Sequence, residues 1–199
     1  MIVSVFRRTV YRQKLRAAVL VAALILLVLL PGCAQGTDGS PENIAPGADV
    51  SAGTAYELWN ADPDGVTILD VRTRAEYALV GHPPMAHNIP LAFWSGRFDA
   101  ARGDYRMEQN PDFLEQVKKR IDATDRVLVL CRSGQRSGFA ASLLQRAGFE
   151  RVHNIADGFE GRIVADSGGL ITGNPSKDGW KQSGAPWTYE LDPALVYER

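Results

Sequence analysis

The chain has 199 residues, 45% hydrophobic and 23% charged, and its 22 basic and 23 acidic side chains leave a net charge of −1. This is ordinary globular composition, and the length suits one domain with appendages. It offers no cationic excess of the kind a nucleic-acid partner demands. In chain order, the first feature is basic: Arg7, Arg8, Arg12, Lys14 and Arg16 stand without an acid among them. An unbroken apolar run, Ala17 to Leu30, follows. It is short for a bilayer-spanning helix, which needs about 20 residues, but has the basic-then-apolar layout of an export signal.

The run ends in Leu30, Pro31, Gly32 and Cys33. An apolar residue, a spacer, a small residue and a cysteine resemble the lipobox of bacterial lipoproteins, although proline is an atypical spacer. The resemblance implies cleavage before Cys33, acylation of its thiol and a lipid-anchored protein of the bacterial cell envelope, facing the periplasm or the cell surface. Each buried acyl methylene contributes about 0.8 kcal/mol. The alternatives are a plain signal peptide or an uncleaved anchor. Losing residues 1–32 takes the basic count from 22 to 17 against 23 acids, a net charge of −6, which argues further against nucleic acid. Residues 33–49, rich in Gly, Pro and Ser, read as a flexible tether unlikely to pack. With Cys33 acylated, Cys131 is left without an intramolecular partner, either as an inert core residue or as a free reactive thiol.

Beyond the tether, Ser51 caps an expected helix carrying Ala55, Leu58 and Trp59. "VTILDV" reads as a buried strand ending near Asp70, "TRAEYALV" as a short helix and "AHNIPL" as a short strand cut by Pro90. Residues 92–109 fit no element and are expected to loop over the surface. Asn110 and Pro111 look like a cap followed by a first-turn proline, opening a helix through Phe113, Leu114, Val117 and Ile121. "RVLVLC" is apolar throughout, as a strand covered on both faces should be. "SGFAASLLQRAG" is a helix ending at Gly148, and "RVHNI" a further strand. Residues 163–179 look like an inserted loop, after which Trp180 and Trp187 are expected to cover the domain edge. Alternating strands and helices predict an α/β fold, a mainly parallel central sheet with helices on both faces.

In such a sheet Cys131 stands at the carboxyl end of a central strand, where ligand sites gather. Gly134 and Gly138 permit a tight turn whose N–H groups, backed by a helix start, attract anions. That setting favours thiolate over thiol, as do neighbouring cations. Arg132 and Arg136 supply the cations, Ser133 and Ser137 hydroxyl donors. A lone cysteine ending an apolar strand is more often a small core hydrophobe, but thiol, turn, cations and helix start all fall within seven residues.

The run Cys131-Arg132-Ser133-Gly134-Gln135-Arg136-Ser137 resembles the active-site loop of single-domain rhodaneses, the sulfurtransferases. "ILDVR" (68–72), Glu76, "GH" (81–82) and "AHNIP" (86–90) resemble the family's first signature, and "DGFEG" and "GWKQSGAPW" its later part. The likeness covers residues 50–188, leaving 189–199 as a tail. Pro83, Pro84 and Met85 depart from the family's pattern after Gly-His, and residues 92–109 and 163–179 look longer than in a minimal domain. The resemblance implies a rhodanese-like fold and a Cys131 persulfide, formed from a small anionic donor such as thiosulfate and discharged to cyanide or a thiol. It implies that the loop from Arg132 to Ser137, including Ser133, Gly134 and Gln135, holds the anion, with Arg132 or Arg136 orienting the donor and Ser137 bonding the sulfur. Asp70, Arg72 and Glu76 are expected to be structural, tying the preceding loop to the sheet. No cofactor is expected. No metal is either, because His82, His87 and His153 have no ligand-cluster spacing. Two rivals remain: a sulfur-carrier or redox module without efficient turnover, and a phosphatase or arsenate reductase, whose loop is one residue longer than the four residues enclosed by Cys131 and Arg136.

Overall fold

Two apolar pentapeptides, Val66–Asp70 (β1) and Arg126–Leu130 (β5), pair in parallel at the centre of the molecule. In this computed structural model, which describes residues 44–161 and 178–198, they are flanked by His87–Asn88 (β2) and Arg151–Asn154 (β6), in the order β2-β1-β5-β6. Every pairing in this sheet is parallel. The fold is α/β with a parallel central sheet and helices on both faces, as expected. The segment expected to be an export signal, and Cys33 with it, lies outside the described residues.

Alternation along β1 and β5 divides the core into two layers. Leu69, Val71, Val127, Val129 and Cys131 point to one face, where Phe113–Arg120 (α3) and Gln135–Arg146 (α4) pack. Val66, Ile68, Leu128 and Leu130 point to the other, against Ala52–Ala61 (α1) and Tyr77 of Arg74–Val80 (α2). Burial on both faces explains why these strands lack polar alternation. Ser51 caps α1, its hydroxyl accepting from the N–H of Thr54 at 3.1 Å.

Four local expectations are corrected. Residues 92–109 form an antiparallel ribbon, Ala92–Asp99 (β3) and Asp104–Gln109 (β4). The N–H of Leu91 donates to Val71 O at 3.1 Å and that of Asn110 to Leu91 O at 3.0 Å, so the ribbon rises from the carboxyl end of β1. The helix expected to start at Asn110 begins at Phe113: Asn110 Oδ1 accepts from Asp112 N–H at 3.1 Å, while its amide donates to Pro90 O at 2.8 Å. Asn110 therefore holds a turn, and Pro111 lies in that turn. Gly138, expected to help form the turn, lies inside α4, which opens at Gln135, so of the two glycines only Gly134 shapes the turn. Trp180, expected at the edge, is fully buried in the α1 layer; Trp187 remains 39% exposed.

Both ends of the described chain pack. Gly47 N–H donates to Val152 O at 3.0 Å and Val50 N–H to Asn154 O at 2.9 Å, laying residues 47–50 along β6. The part of the tether from residue 44 on is thus not loose, whereas 33–43 lie outside the described residues. Past residue 188, Leu195 O accepts from Asn88 N–H at 2.8 Å, covering the edge strand β2, and the ring of buried Tyr197 lies tilted against that of Phe93, centroids 6.0 Å apart. The segment expected as an inserted loop lies outside the described residues up to 177. Where the chain resumes, Gly179 N–H donates to Asp157 Oδ2 at 3.1 Å and Trp180 N–H to Gly158 O at 2.8 Å.

Candidate active site

Strand β5 ends at Leu130 and α4 starts at Gln135, so Cys131 to Gly134 form the whole connection. So short a link needs a left-handed residue. Gly134 provides it at φ 90° and ψ −22°, immediately before the helix. The first intrahelical bond of α4 runs from Gly138 N–H to Gly134 O at 3.0 Å. The N–H groups of Gln135, Arg136 and Ser137 therefore have no intrahelical acceptor and carry the positive end of the helix dipole.

The carbonyls of the same loop are drawn away. Cys131 O accepts from Phe159 N–H at 2.8 Å and Arg132 O from Glu160 N–H at 3.0 Å. The segment 156–160 backs the loop at backbone contact: a Cβ on Gly158 would lie 2.5 Å from the Arg132–Ser133 peptide. Gly158 is a site residue that the sequence reading did not single out, although it sits in the quoted "DGFEG". Cys131 is a free thiol, 1% exposed, and the Ser137 hydroxyl reaches its Sγ at 3.2 Å. The same hydroxyl reaches Gly134 O at 3.0 Å, so its one proton can turn to sulfur once the thiol is ionised.

Asp70 and Arg72 form a buried ion pair. Both side chains are fully buried; Arg72 donates to both Asp70 carboxylate oxygens and, through Nη2, to Gly81 O at 2.8 Å, fastening the end of α2 to β1. Glu76 does more than tie a loop. It completes a capping box with Thr73 at the start of α2 and also receives both terminal nitrogens of Arg136, at 2.9 and 2.5 Å. Burial pushes the Glu76 carboxyl up, but the Arg136 guanidinium and the Thr73 donors outweigh it and hold the pKa at about 2. Burial likewise opposes the Arg136 charge, which Glu76 holds above its ordinary range. Arg136 therefore meets the site with its charge already compensated, and Arg132, exposed in the loop, is the cation nearest Cys131 in sequence.

The Glu76 shift predicts an acid sensitivity. A folded pKa of about 2 against 4.5 for the free group means the pair contributes its full stability above pH 4.5. That contribution is lost as pH falls from there through about 2. Because both side chains are partly exposed, on the order of 2 kcal/mol is expected. Glu76→Gln should flatten the decline of the urea midpoint across that pH window; an equally steep decline in the variant would exclude the pair as its cause.

Cys131 opens into a cleft of about 770 Å³. Arg132, Ser133, Gln135 and Arg136 line it from the loop, Glu76, Leu79 and Val80 from α2, and Trp94, Arg102, Asp104 and Met107 from the β3–β4 ribbon. The ribbon residues were missed because residues 92–109 gave no recognisable element. Gly134 is the turn and Ser137 the buried donor. The three histidines do not join this cleft. His82, for instance, is enclosed, its ring stacked on Tyr77 at 3.6 Å.

Comparison with known proteins agrees with this geometry. The chain is 33% identical over 135 residues to the uncharacterized protein RC0915 of Rickettsia conorii, covering 68% of this chain and 92% of that one. It is 38% identical over 112 residues to thiosulfate sulfurtransferase 16, chloroplastic, of Arabidopsis thaliana, covering 56% of this chain and 83% of the relative. Among solved structures, Rv0390 from M. tuberculosis superposes with a TM-score of 0.57 at 29% identity, over 73% of this chain and all of that one. The rhodanese-like domain model matches residues 54–162, which span β1, the Cys131 loop and its backing segment. By sequence, fold and the placement of its cysteine loop, the chain belongs to the rhodanese-like family.

Proposed function

We propose that this protein is a sulfurtransferase working through a Cys131 persulfide. One observation carries the reading: a single buried thiol at the open N-terminus of α4, touched by the Ser137 hydroxyl at 3.2 Å and opening into a cleft. The Cys131 thiolate attacks the outer sulfur of a donor such as thiosulfate. The S–S bond breaks and sulfite leaves with its electron pair. The outer sulfur then carries a negative charge, met by the N–H groups of residues 132–137 and by the Ser137 hydroxyl. Arg132 attracts the anionic donor, and Arg136, fixed by Glu76, braces the loop. An acceptor, cyanide or a thiol, then attacks the outer sulfur, and Cys131 leaves as thiolate, a two-step covalent cycle. The named activity of the Arabidopsis thaliana relative supports this reading. Four residues between Cys131 and Arg136 give a ring suited to one added sulfur, whereas phosphoryl transfer needs donors around three equatorial oxygens.

Intact-mass measurement tests the proposal. Thiosulfate should add one sulfur atom to the protein, and cyanide should remove it as thiocyanate. Aryl phosphate hydrolysis without any sulfur loading would overturn it.

We also propose that acylated Cys33 anchors the domain to the cell envelope. Cys33→Ser should release the protein into the soluble fraction or stall its processing. A serine variant that still sediments with membranes at the mature mass would remove the lipid from the account.

A further inference from the structure

The β3–β4 ribbon exposes one apolar face. Trp94 is 61% exposed, Phe98 59%, Tyr105 46% and Met107 41%. Met107 stands opposite Trp94 and Tyr105 opposite Phe98 in the ladder. The Tyr105 ring contacts both Trp94 and Phe98 edge-on, with centroids 5.6 and 5.5 Å apart, so the four side chains form one surface. Exposed contiguous apolar surface of this kind marks an interaction site. Charged pairs, Arg97–Glu108 and Arg106–Asp99, brace the same ribbon.

This surface runs into the cysteine cleft, because Trp94 and Met107 line both. Across the cleft α2 contributes Leu79, 78% exposed, and Val80. A volume of about 770 Å³ lies in the range that encloses drug-sized ligands, roughly 300–1,000 Å³. A five-atom sulfur oxyanion or cyanide leaves most of it empty, and neither can cover the ribbon. A small free thiol fills the cleft but still leaves Phe98 and Tyr105 bare, since these lie beyond its lining. Cys131 is 1% exposed, so the group that reaches it must be narrow, while what surrounds that group must be broad and apolar.

We propose that the sulfur acceptor is a protein cysteine carried on a segment with apolar flanking side chains, which the Trp94–Met107–Phe98–Tyr105 face docks while the thiol enters the cleft. The proposal rests on the sulfur-transfer reading. In the step, the acceptor thiolate attacks the outer sulfur of the Cys131 persulfide. The Cys131 Sγ–S bond breaks, Cys131 departs as thiolate with the electron pair, and the acceptor gains the sulfur as its own persulfide. No external oxidant or reductant enters.

The test uses the full chain with Cys33→Ser, so that Cys131 is its one thiol, and two synthetic hexapeptides, each with a central cysteine, flanked in one by leucine and phenylalanine and in the other by serine. Two rates are measured for each. One is discharge of the thiosulfate-loaded protein. The other is capture by unloaded Cys131 of the peptide as its thionitrobenzoate mixed disulfide, followed by release of the coloured thiolate. The second needs no persulfide, so docking is measured whether or not thiosulfate loads the protein. The apolar peptide should react about tenfold faster or more in both assays, the yield expected from burying one or two large apolar side chains. Phe98→Ser with Tyr105→Ser should bring the ratio of the two peptides close to one, and Leu191→Ser, a change at an exposed leucine outside the cleft and the ribbon, should preserve it. Equal rates for both peptides in the Cys33→Ser parent, or a preference that survives the ribbon variant, overturns the docking surface. Equal reactivity of glutathione and the apolar peptide assigns the cleft to small thiols and likewise overturns it. Failure of thiosulfate loading with the capture preference intact would instead remove the donor chemistry and leave the surface standing.

Discussion

Cys131→Ser is expected to abolish persulfide formation and lower sulfur transfer by about a thousandfold or more, the scale on which removal of a covalent nucleophile acts. The serine oxygen is far less nucleophilic toward sulfur and forms no persulfide. The fold should survive. The side chain is 1% exposed and faces the Ser137 hydroxyl at 3.2 Å, which can hydrogen-bond to an oxygen as well as to a sulfur. A stability loss below about 2 kcal/mol is therefore expected. Thiocyanate production and a urea melt, measured on the same preparation, separate the two effects. Transfer by the serine variant within tenfold of wild type would remove Cys131 from the mechanism.

Gly134→Ala should be the most damaging small substitution in the loop. A Cβ there would stand 2.0 Å from the carbonyl oxygen of Ala156, at φ 90°. The obstacle is backbone, held in place by the bond from Ala156 N–H to Val50 O at 2.9 Å, so it cannot rotate aside. Gly148 supplies the control, since its φ is 98° but nothing lies within 4 Å of an added Cβ. Gly148→Ala should cost about 1 kcal/mol, the penalty of the left-handed conformation. Gly134→Ala should cost about 3 kcal/mol or more and displace the N–H groups that face the sulfur, reducing turnover about a hundredfold even where the protein folds. Equal destabilisation by the two substitutions, read from urea midpoints, would show that the contact with Ala156 is relieved without strain.

The Cys131 turn was legible because its pattern is local. An apolar strand, a thiol, a left-handed glycine and a helix start occur within a few residues, and each constrains the next. The sheet was legible for a similar reason: β1 and β5 are apolar without alternation, which in a short segment means cover on both faces. Pairings distant in sequence were not. Glu76 and Arg136 are 60 residues apart, and Glu76 read only as a structural residue tying the preceding loop to the sheet. Nothing local shows that its carboxylate also reaches across to α4. The ribbon at 92–109 failed differently. Phe93 packs on the main core, but Trp94, Phe98, Tyr105 and Met107 are exposed, so the inward-outward pattern that identifies a half-buried strand is absent. Asn110 misled because an asparagine before a proline serves a turn as readily as a helix cap. Trp180, expected at the domain edge, fills the core instead, while residues up to Tyr197, read as a tail, cover β2.

The junction at Asp157 to Trp180 has a consequence for chain length. A Cβ on Gly179 would lie 2.4 Å from the backbone nitrogen of Gly161, so residues 161 and 179 meet backbone to backbone like the two posts of a doorway. Because these two points already touch, doubling the number of residues between them costs only about 0.6 kcal/mol of closure entropy. Asp157 guards the doorway on both sides, accepting the N–H of Ala52 at 2.8 Å and that of Gly179 at 3.1 Å. Changes in the number of residues between positions 161 and 179 are therefore expected to leave the Cys131 loop and its backing segment in place.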